Sequence, residues 1–249
     1  MKKAFRYLMS IVFYGCFGFF LLLFHGIQWV CFYGFGYKAH KHSIELLNFF
    51  LLRFLNLLGT RISFDHPHPI PANRSIIFVA NHQSTYDIPP LIWYLRKHHP
   101  KFISKKELGK GIPSVSFNLR HGGALLIDRK NPKKAIEAIQ HFGKSLSEKK
   151  HSAVIFPEGT RSRNGKTKPF QKAGLLSLLQ YMPDALVVPI SVGNSWRFAE
   201  NKYFPMPLGV HLKIKVHPAL ENIPEKNEKL LQIIEKTIGI GVEALQHQN

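Results

Sequence analysis

Residues 75–87 read Ser75-Ile76-Ile77-Phe78-Val79-Ala80-Asn81-His82-Gln83-Ser84-Thr85-Tyr86-Asp87. The run up to Ala80 is apolar after its first residue and reads as a buried strand. Polar side chains then begin abruptly. An imidazole at 82 and a carboxylate at 87, at the mouth of a strand, are the ingredients of a general base and the group that orients it. Alone the pair is weak, because a histidine in a loop is more often structural than catalytic. What surrounds it has to decide.

Outward from this stretch, short strands alternate with helices. Strands are expected at Thr60–Asp65, Ser75–Ala80, Lys101–Ser104, Ala124–Ile127, Ser152–Phe156, Leu186–Val192 and Val210–Val216. The last alternates polar and apolar as an edge strand does. Helices are expected at Ile88–His99, opened by Pro89 and Pro90, and in part over Lys106–Asn118, where Gly111 and Pro113 interrupt. Further helices fall at Pro132–Lys150, Phe170–Tyr181 and Glu225–Leu245. Ala135, Ile136, Ile139, Phe142 and Leu146 form one face of the helix that starts at Pro132. This alternation predicts an α/β domain with a mixed, largely parallel sheet flanked by helices, over residues 59–249.

Residues 1–58 are different. From Tyr7 to Tyr37 there is no Asp, Glu, Lys or Arg. As one helix this run would extend about 46 Å, against a hydrocarbon core of about 30 Å. It is too long for the apolar part of a cleaved signal peptide, and no small-residue cleavage site follows it. Ile44–Leu58 is apolar except for Glu45, Asn48, Arg53 and Asn56. At about 22 Å it is too short to cross. Two apolar helices joined by Lys38–Ser43 are therefore expected, forming a membrane-associating hairpin in one leaflet with both ends cytoplasmic. Lys2, Lys3 and Arg6 before the run and Lys38 and Lys41 after it give no clean positive-inside signal.

The 249 residues carry 34 Lys and Arg against 15 Asp and Glu, a formal charge of +19, which calls for an anionic partner. Cys16 and Cys31 both lie in the apolar segment and offer neither a disulfide framework nor zinc-ligand spacing.

Three of the strands run into loops rich in reactive side chains, at the ends where α/β sheets build their sites. The first holds His82 and Asp87. The second, Ala124-Leu125-Leu126-Ile127-Asp128-Arg129, delivers an arginine. The third, Phe156-Pro157-Glu158-Gly159-Thr160-Arg161-Ser162, presents Glu, Thr and Arg from a Pro/Gly turn. Arg129 and Arg161 suit bidentate contacts with phosphate oxygens, and Thr160 with the backbone N–H groups near Gly159 can add neutral donors.

Together these stretches resemble the glycerolipid acyltransferase family that includes the 1-acyl-sn-glycerol-3-phosphate acyltransferases. Asn81–Asp87 is similar to its HxxxxD motif. Lys105-Lys106-Glu107-Leu108 with Gly123–Arg129 is similar to the second motif. Phe156–Ser162 matches FPEGTRS residue for residue, and Val187–Val192 is similar to the fourth. The chain departs where the family often has Phe-Lys-x-Gly: here it has Phe170-Gln171-Lys172-Ala173-Gly174, which leaves the role of Lys172 open. Residues 193–208, with Trp196, Phe198, Tyr203 and Phe204, carry no family motif, and two roles stay open for them: shaping acceptor or acyl-chain choice, or capping the core.

The resemblance implies transfer of an acyl group from acyl-CoA or acyl-carrier protein to the sn-2 hydroxyl of 1-acyl-sn-glycerol-3-phosphate, giving phosphatidic acid. His82 would be the base and Asp87 its orienter. Arg161 and Arg129, with Lys105, would hold the acceptor phosphate, on a turn formed by Glu158 and Gly159 or with Glu158 on a glycerol hydroxyl. Thr160 belongs to the same substrate-binding set. No cofactor and no metal are implied, since a thioester needs none. Membrane lipids are the expected partners. No nucleic-acid module is visible, and there is no G-x-S-x-G elbow for a serine nucleophile. Gly165-Lys166-Thr167 imitates the end of a P-loop, but position 160 is Thr where that motif requires Gly. The nearest rival is the same chemistry on another lysolipid; a non-enzymatic basic membrane binder would leave the ordered motifs unexplained.

Overall fold

A computed structural model describes residues 2–71, 73–222 and 227–247. Eight strands form one sheet: β1 (Arg61–Asp65), β2 (Ile76–Ala80), β3 (Pro100–Lys105), β4 (Leu125–Ile127), β5 (Ser152–Ile155), β6 (Leu186–Gly193), β7 (His211–Val216) and β8 (Leu220–Glu221). The spatial order is β1-β7-β6-β2-β5-β3-β4, with β8 paired to β6. Neighbours are parallel except where β6 meets β7 and β8. The expected mixed, largely parallel sheet is present.

Strand β2 lies inside the sheet between β5 and β6, and all five of its residues are buried. Its alternating side chains explain the layers. Ile76, Phe78 and Ala80 pack on one face with Leu52, Leu55, Leu91 and Leu95, which come from α1 (Lys2–Leu57), α2 (Ile88–Tyr94) and the residue following α2. Ile77 and Val79 pack on the other face. Their neighbours there include Ile139 of α4 (Pro132–Glu148), Leu175 of α5 (Lys172–Tyr181) and Ile234 of α6 (Asn227–His247). A helix α3 (Val115–His121) packs against α1. Ile88–His99 is helical only to Tyr94 before a 3-10 turn at Arg96–His98. Of the predicted last helix, Glu225 and Lys226 lie outside the described residues.

Two expectations are corrected. Strand β7 is not an edge strand: it sits between β1 and β6. Its alternation misleads because Lys213 is buried, with its ammonium donating to the Leu245 carbonyl in α6. Nor are the apolar segments two helices joined by a linker at 38–43. A single helical element runs from Lys2 to Leu57, and its only non-helical residue is Gly36, at φ 79°. That left-handed backbone suits a residue without Cβ. Around it the two arms fold back on each other, bringing the Phe20 ring to 4.9 Å from Phe50 and 4.7 Å from Phe54.

The first arm of α1 is held to the body along its length. Arg6 donates to the Pro205 and Met206 carbonyls, Tyr14 donates to the Tyr203 carbonyl, and His25 accepts from the Ser114 N–H. Its opposite side exposes Leu8, Ile11, Phe19, Leu22, Trp29 and Tyr33, each more than half accessible.

Candidate active site

The loop leaving β2 explains why the histidine and the aspartate stand five positions apart. Asn81 closes the strand by pairing its side-chain amide with both backbone groups of Val192 in β6, at 2.7 and 2.9 Å. The chain then turns at Ser84, which caps a short 3-10 turn over Thr85–Asp87 and accepts from the Tyr86 N–H. That turn folds the Asp87 carboxylate back over the loop. Its Oδ2 accepts from the backbone N–H of Gln83 at 2.7 Å and of Ser84 at 3.0 Å, and lies 2.8 Å from His82 Nδ1. Its Oδ1 accepts from the Ser195 hydroxyl.

Asp87 has no solvent exposure, whereas the His82 ring keeps 18%. With two fixed amide donors on Oδ2, that oxygen acts as an acceptor, so the Nδ1–H of a neutral His82 donates to it. Nε2 is left as the basic nitrogen. The ring stacks on Phe156 at 4.3 Å between centroids, which fixes the plane in which Nε2 is presented.

The loop after β5 lies against the first. Gly159, at φ 68°, makes the turn that follows Phe156 and donates back to its carbonyl. Ser162 N–H donates to the His82 carbonyl at 2.8 Å. Gln83 spans the gap, donating to the Gly165 carbonyl and accepting from Trp196 N–H at 3.4 Å. Gly165 is thus a bridging point with no helix directly after it, since α5 begins only at Lys172.

His82, Lys105, Arg129, Gly159, Thr160 and Arg161 all line one cavity of about 1680 Å³. Arg129 donates to the Gly159 carbonyl, Arg161 to the Tyr203 hydroxyl at 2.8 Å, and Lys168 to Thr160 Oγ1 and the Arg161 carbonyl. The cavity continues between apolar side chains of α1, α3 and α4, including Leu21, Leu47, Leu51, Val115, Leu119 and Ile136. A cationic mouth thus opens into an apolar interior.

Glu158 is placed differently from the other predicted substrate contacts. It is buried, does not face the cavity, and accepts from the His82 backbone N–H at 3.4 Å, while its Oε2 has no partner. Burial pushes its carboxyl up to about 8. Lys172 points elsewhere, its ammonium 3.8 Å from Glu228 with both side chains exposed.

Sequence reading gave no role to Ser195 and Lys168, and left Tyr203 in a stretch open to acceptor choice or core capping. Ser195 and Tyr203 belong to the stretch without a motif, yet it leaves the carboxyl end of β6, next to β2, so the strand-end rule alone could have flagged it. Among the described residues no three His, Cys, Asp or Glu side chains come together where they could hold a metal ion.

A family model described as Acyltransferase matches residues 61–193, just over half of the chain, including the loops that carry His82, Asp87, Arg129 and Arg161. The chain belongs to the acyltransferase family. It is similar to the 1-acyl-sn-glycerol-3-phosphate acyltransferase of Cocos nucifera, with 30% identity over 140 residues, 56% of this chain and 45% of that one. It is also similar to the alpha form of that enzyme from Ovis aries, with 28% identity over 153 residues, 61% and 52% of the two chains. The matched stretch thus spans about half the length of the curated relatives. The crystal structure of the 1-acyl-sn-glycerophosphate (LPA) acyltransferase PlsC from Thermotoga maritima superimposes at a TM-score of 0.81 with 25% identity. That match covers 100% of this chain and 99% of the other, so this acyltransferase shares the arrangement through α1 as well as the sheet.

Proposed function

We propose that this acyltransferase moves a fatty acyl group from a thioester, acyl-CoA or acyl-carrier protein, to the sn-2 hydroxyl of 1-acyl-sn-glycerol-3-phosphate, giving phosphatidic acid. The observation that carries the reading is the His82–Asp87 pair at a cationic mouth over an apolar interior. The matched relatives are named as 1-acyl-sn-glycerol-3-phosphate or 1-acyl-sn-glycerophosphate (LPA) acyltransferases.

An alcohol is a poor nucleophile until its proton is removed. His82 Nε2 takes that proton as the hydroxyl oxygen attacks the thioester carbon, and Asp87 stabilises the imidazolium that forms. The tetrahedral intermediate collapses, the C–S bond breaks, and the imidazolium returns the proton to the departing thiolate. The new ester and the free thiol leave, and His82 is neutral again. Phosphate on the acceptor is held by Arg161 and Arg129, with Lys105 and Lys168 adding charge from the same mouth. Thr160 and Gly159 shape that mouth, and Glu158 supports the turn from behind.

Replacing Arg161 by alanine is expected to raise the KM for the phosphorylated acceptor about tenfold or more, with little change for the thioester, since a hydrogen bond to a charged group contributes about 1.5–3 kcal/mol. The opposite split would move Arg161 to the donor side.

Residues 1–58 serve as the membrane-associating element and 59–249 as the acyltransferase domain. One side of the first arm of α1 is fastened to the body and the other is apolar and bare, which favours lying in one leaflet over crossing it. Both ends, and the domain, then stand on the cytoplasmic face. A cysteine at exposed Lys38, beside the bend, tests this; buried His40 would be a poor probe site. With Cys16 and Cys31 replaced, Lys38→Cys should resist an impermeant thiol reagent on intact cells, and labelling from outside would rule the arrangement out.

A further inference from the structure

Residues 195–206 connect the membrane-associating helix to both halves of the site. At one end Ser195 donates to Asp87 Oδ1. Near the other, the Tyr203 hydroxyl accepts from Arg161 Nη1 at 2.8 Å. Between these points the backbone of Lys202 and Tyr203 is left-handed, at φ 51° and 70°. Non-glycine residues persist in that region only where their surroundings hold them.

Several of the contacts that hold this segment come from α1. Tyr14 donates to the Tyr203 carbonyl at 2.6 Å, Ser10 Oγ accepts from the Met206 N–H at 2.9 Å, and Arg6 donates to the Met206 and Pro205 carbonyls at 2.8 and 2.9 Å. Tyr203 is therefore gripped twice: by its carbonyl from the lipid-facing helix, and by its hydroxyl at an arginine of the cationic mouth. An exposed arginine has many rotamers, and holding it in one lowers the ordering cost of binding an anion.

We propose that Tyr203 is a positioning residue for Arg161, and that the segment 195–206 makes this positioning depend on the seating of α1. The proposal rests on the reading that Arg161 holds the acceptor phosphate.

Tyr203→Phe keeps the ring and removes only the hydroxyl. Steady-state kinetics on the full chain in lipid vesicles should show the KM for 1-acyl-sn-glycerol-3-phosphate raised about five- to tenfold, with kcat and the thioester KM within twofold. Tyr14→Phe, which loosens the segment from α1, should give the same pattern at smaller size. In an Arg161→Ala background, Tyr203→Phe should have no further effect. An acceptor KM unchanged in Tyr203→Phe would overturn the proposal. So would a Tyr203→Phe effect that persists undiminished without Arg161, since that marks a direct substrate contact. If Arg161→Ala itself leaves the acceptor KM alone, the phosphate reading of Arg161 fails, and the positioning role fails with it.

Discussion

Replacing His82 by alanine should lower acyl transfer by about 10³-fold, within the range that a positioned base contributes, while leaving the protein bound to membranes. The loss is large because, among the described residues, neither carboxylate that bonds to the His82 loop is placed to take its role. Asp87 is buried and committed to two backbone N–H groups and Ser195, and Glu158 turns away from the cavity. Membrane binding should survive because the bare face proposed to meet lipid is on α1, away from His82. The ring also leaves little structural debt: its one side-chain hydrogen bond is to Asp87, and its stacking partner Phe156 is half-buried. Single-turnover measurements with a labelled thioester test this, and a variant retaining more than about a tenth of wild-type turnover would remove His82 from the role of base.

Asp87 gives the second large effect, and the choice of substitution separates charge from scaffold. In Asp87→Asn the side-chain oxygen can still accept from the Gln83 and Ser84 N–H groups and from His82, with the new amide N–H₂ directed at the Ser195 hydroxyl. The fold is retained, but the imidazolium loses its counter-charge, and kcat should fall about 10²-fold with melting little changed. Asp87→Ala strips the acceptor from two buried backbone donors, each unpaired group costing about 1–3 kcal/mol. It should unfold at visibly lower temperature as well as being inactive. Equal melting losses in the two variants would mean that the carboxylate matters for the loop alone.

The parts of this arrangement that were legible in the sequence are those fixed by local pattern. Ile76–Ala80 reads as a buried strand because every residue in it is apolar, and the structure buries all five. The three loaded loops meet because strands β2, β5, β3 and β4 are parallel neighbours, so their carboxyl ends share one rim. Contacts between distant segments were not legible. Nothing at Tyr203 announces that it will meet Arg161 from one side and Tyr14 from the other, since those pairings arise only once α1 is laid across the domain. The bend of α1 was expected from charge, at Lys38–Ser43, whereas the backbone bends where Gly36 permits φ 79°. Strand β7 was misread because a buried lysine with a carbonyl partner looks, in sequence, like a solvated one.

The role proposed for His82 is to deprotonate the hydroxyl of a phosphate-bearing lysolipid. Its most direct test is an acylation assay of the purified full chain in vesicles, with a labelled long-chain acyl thioester offered against a panel of lysolipids. Labelled phosphatidic acid is expected from 1-acyl-sn-glycerol-3-phosphate, with one free thiol released per ester formed and both about 10³-fold lower in the His82→Ala protein. Efficient labelling of a lysolipid without a terminal phosphate, in preference to 1-acyl-sn-glycerol-3-phosphate, would contradict it.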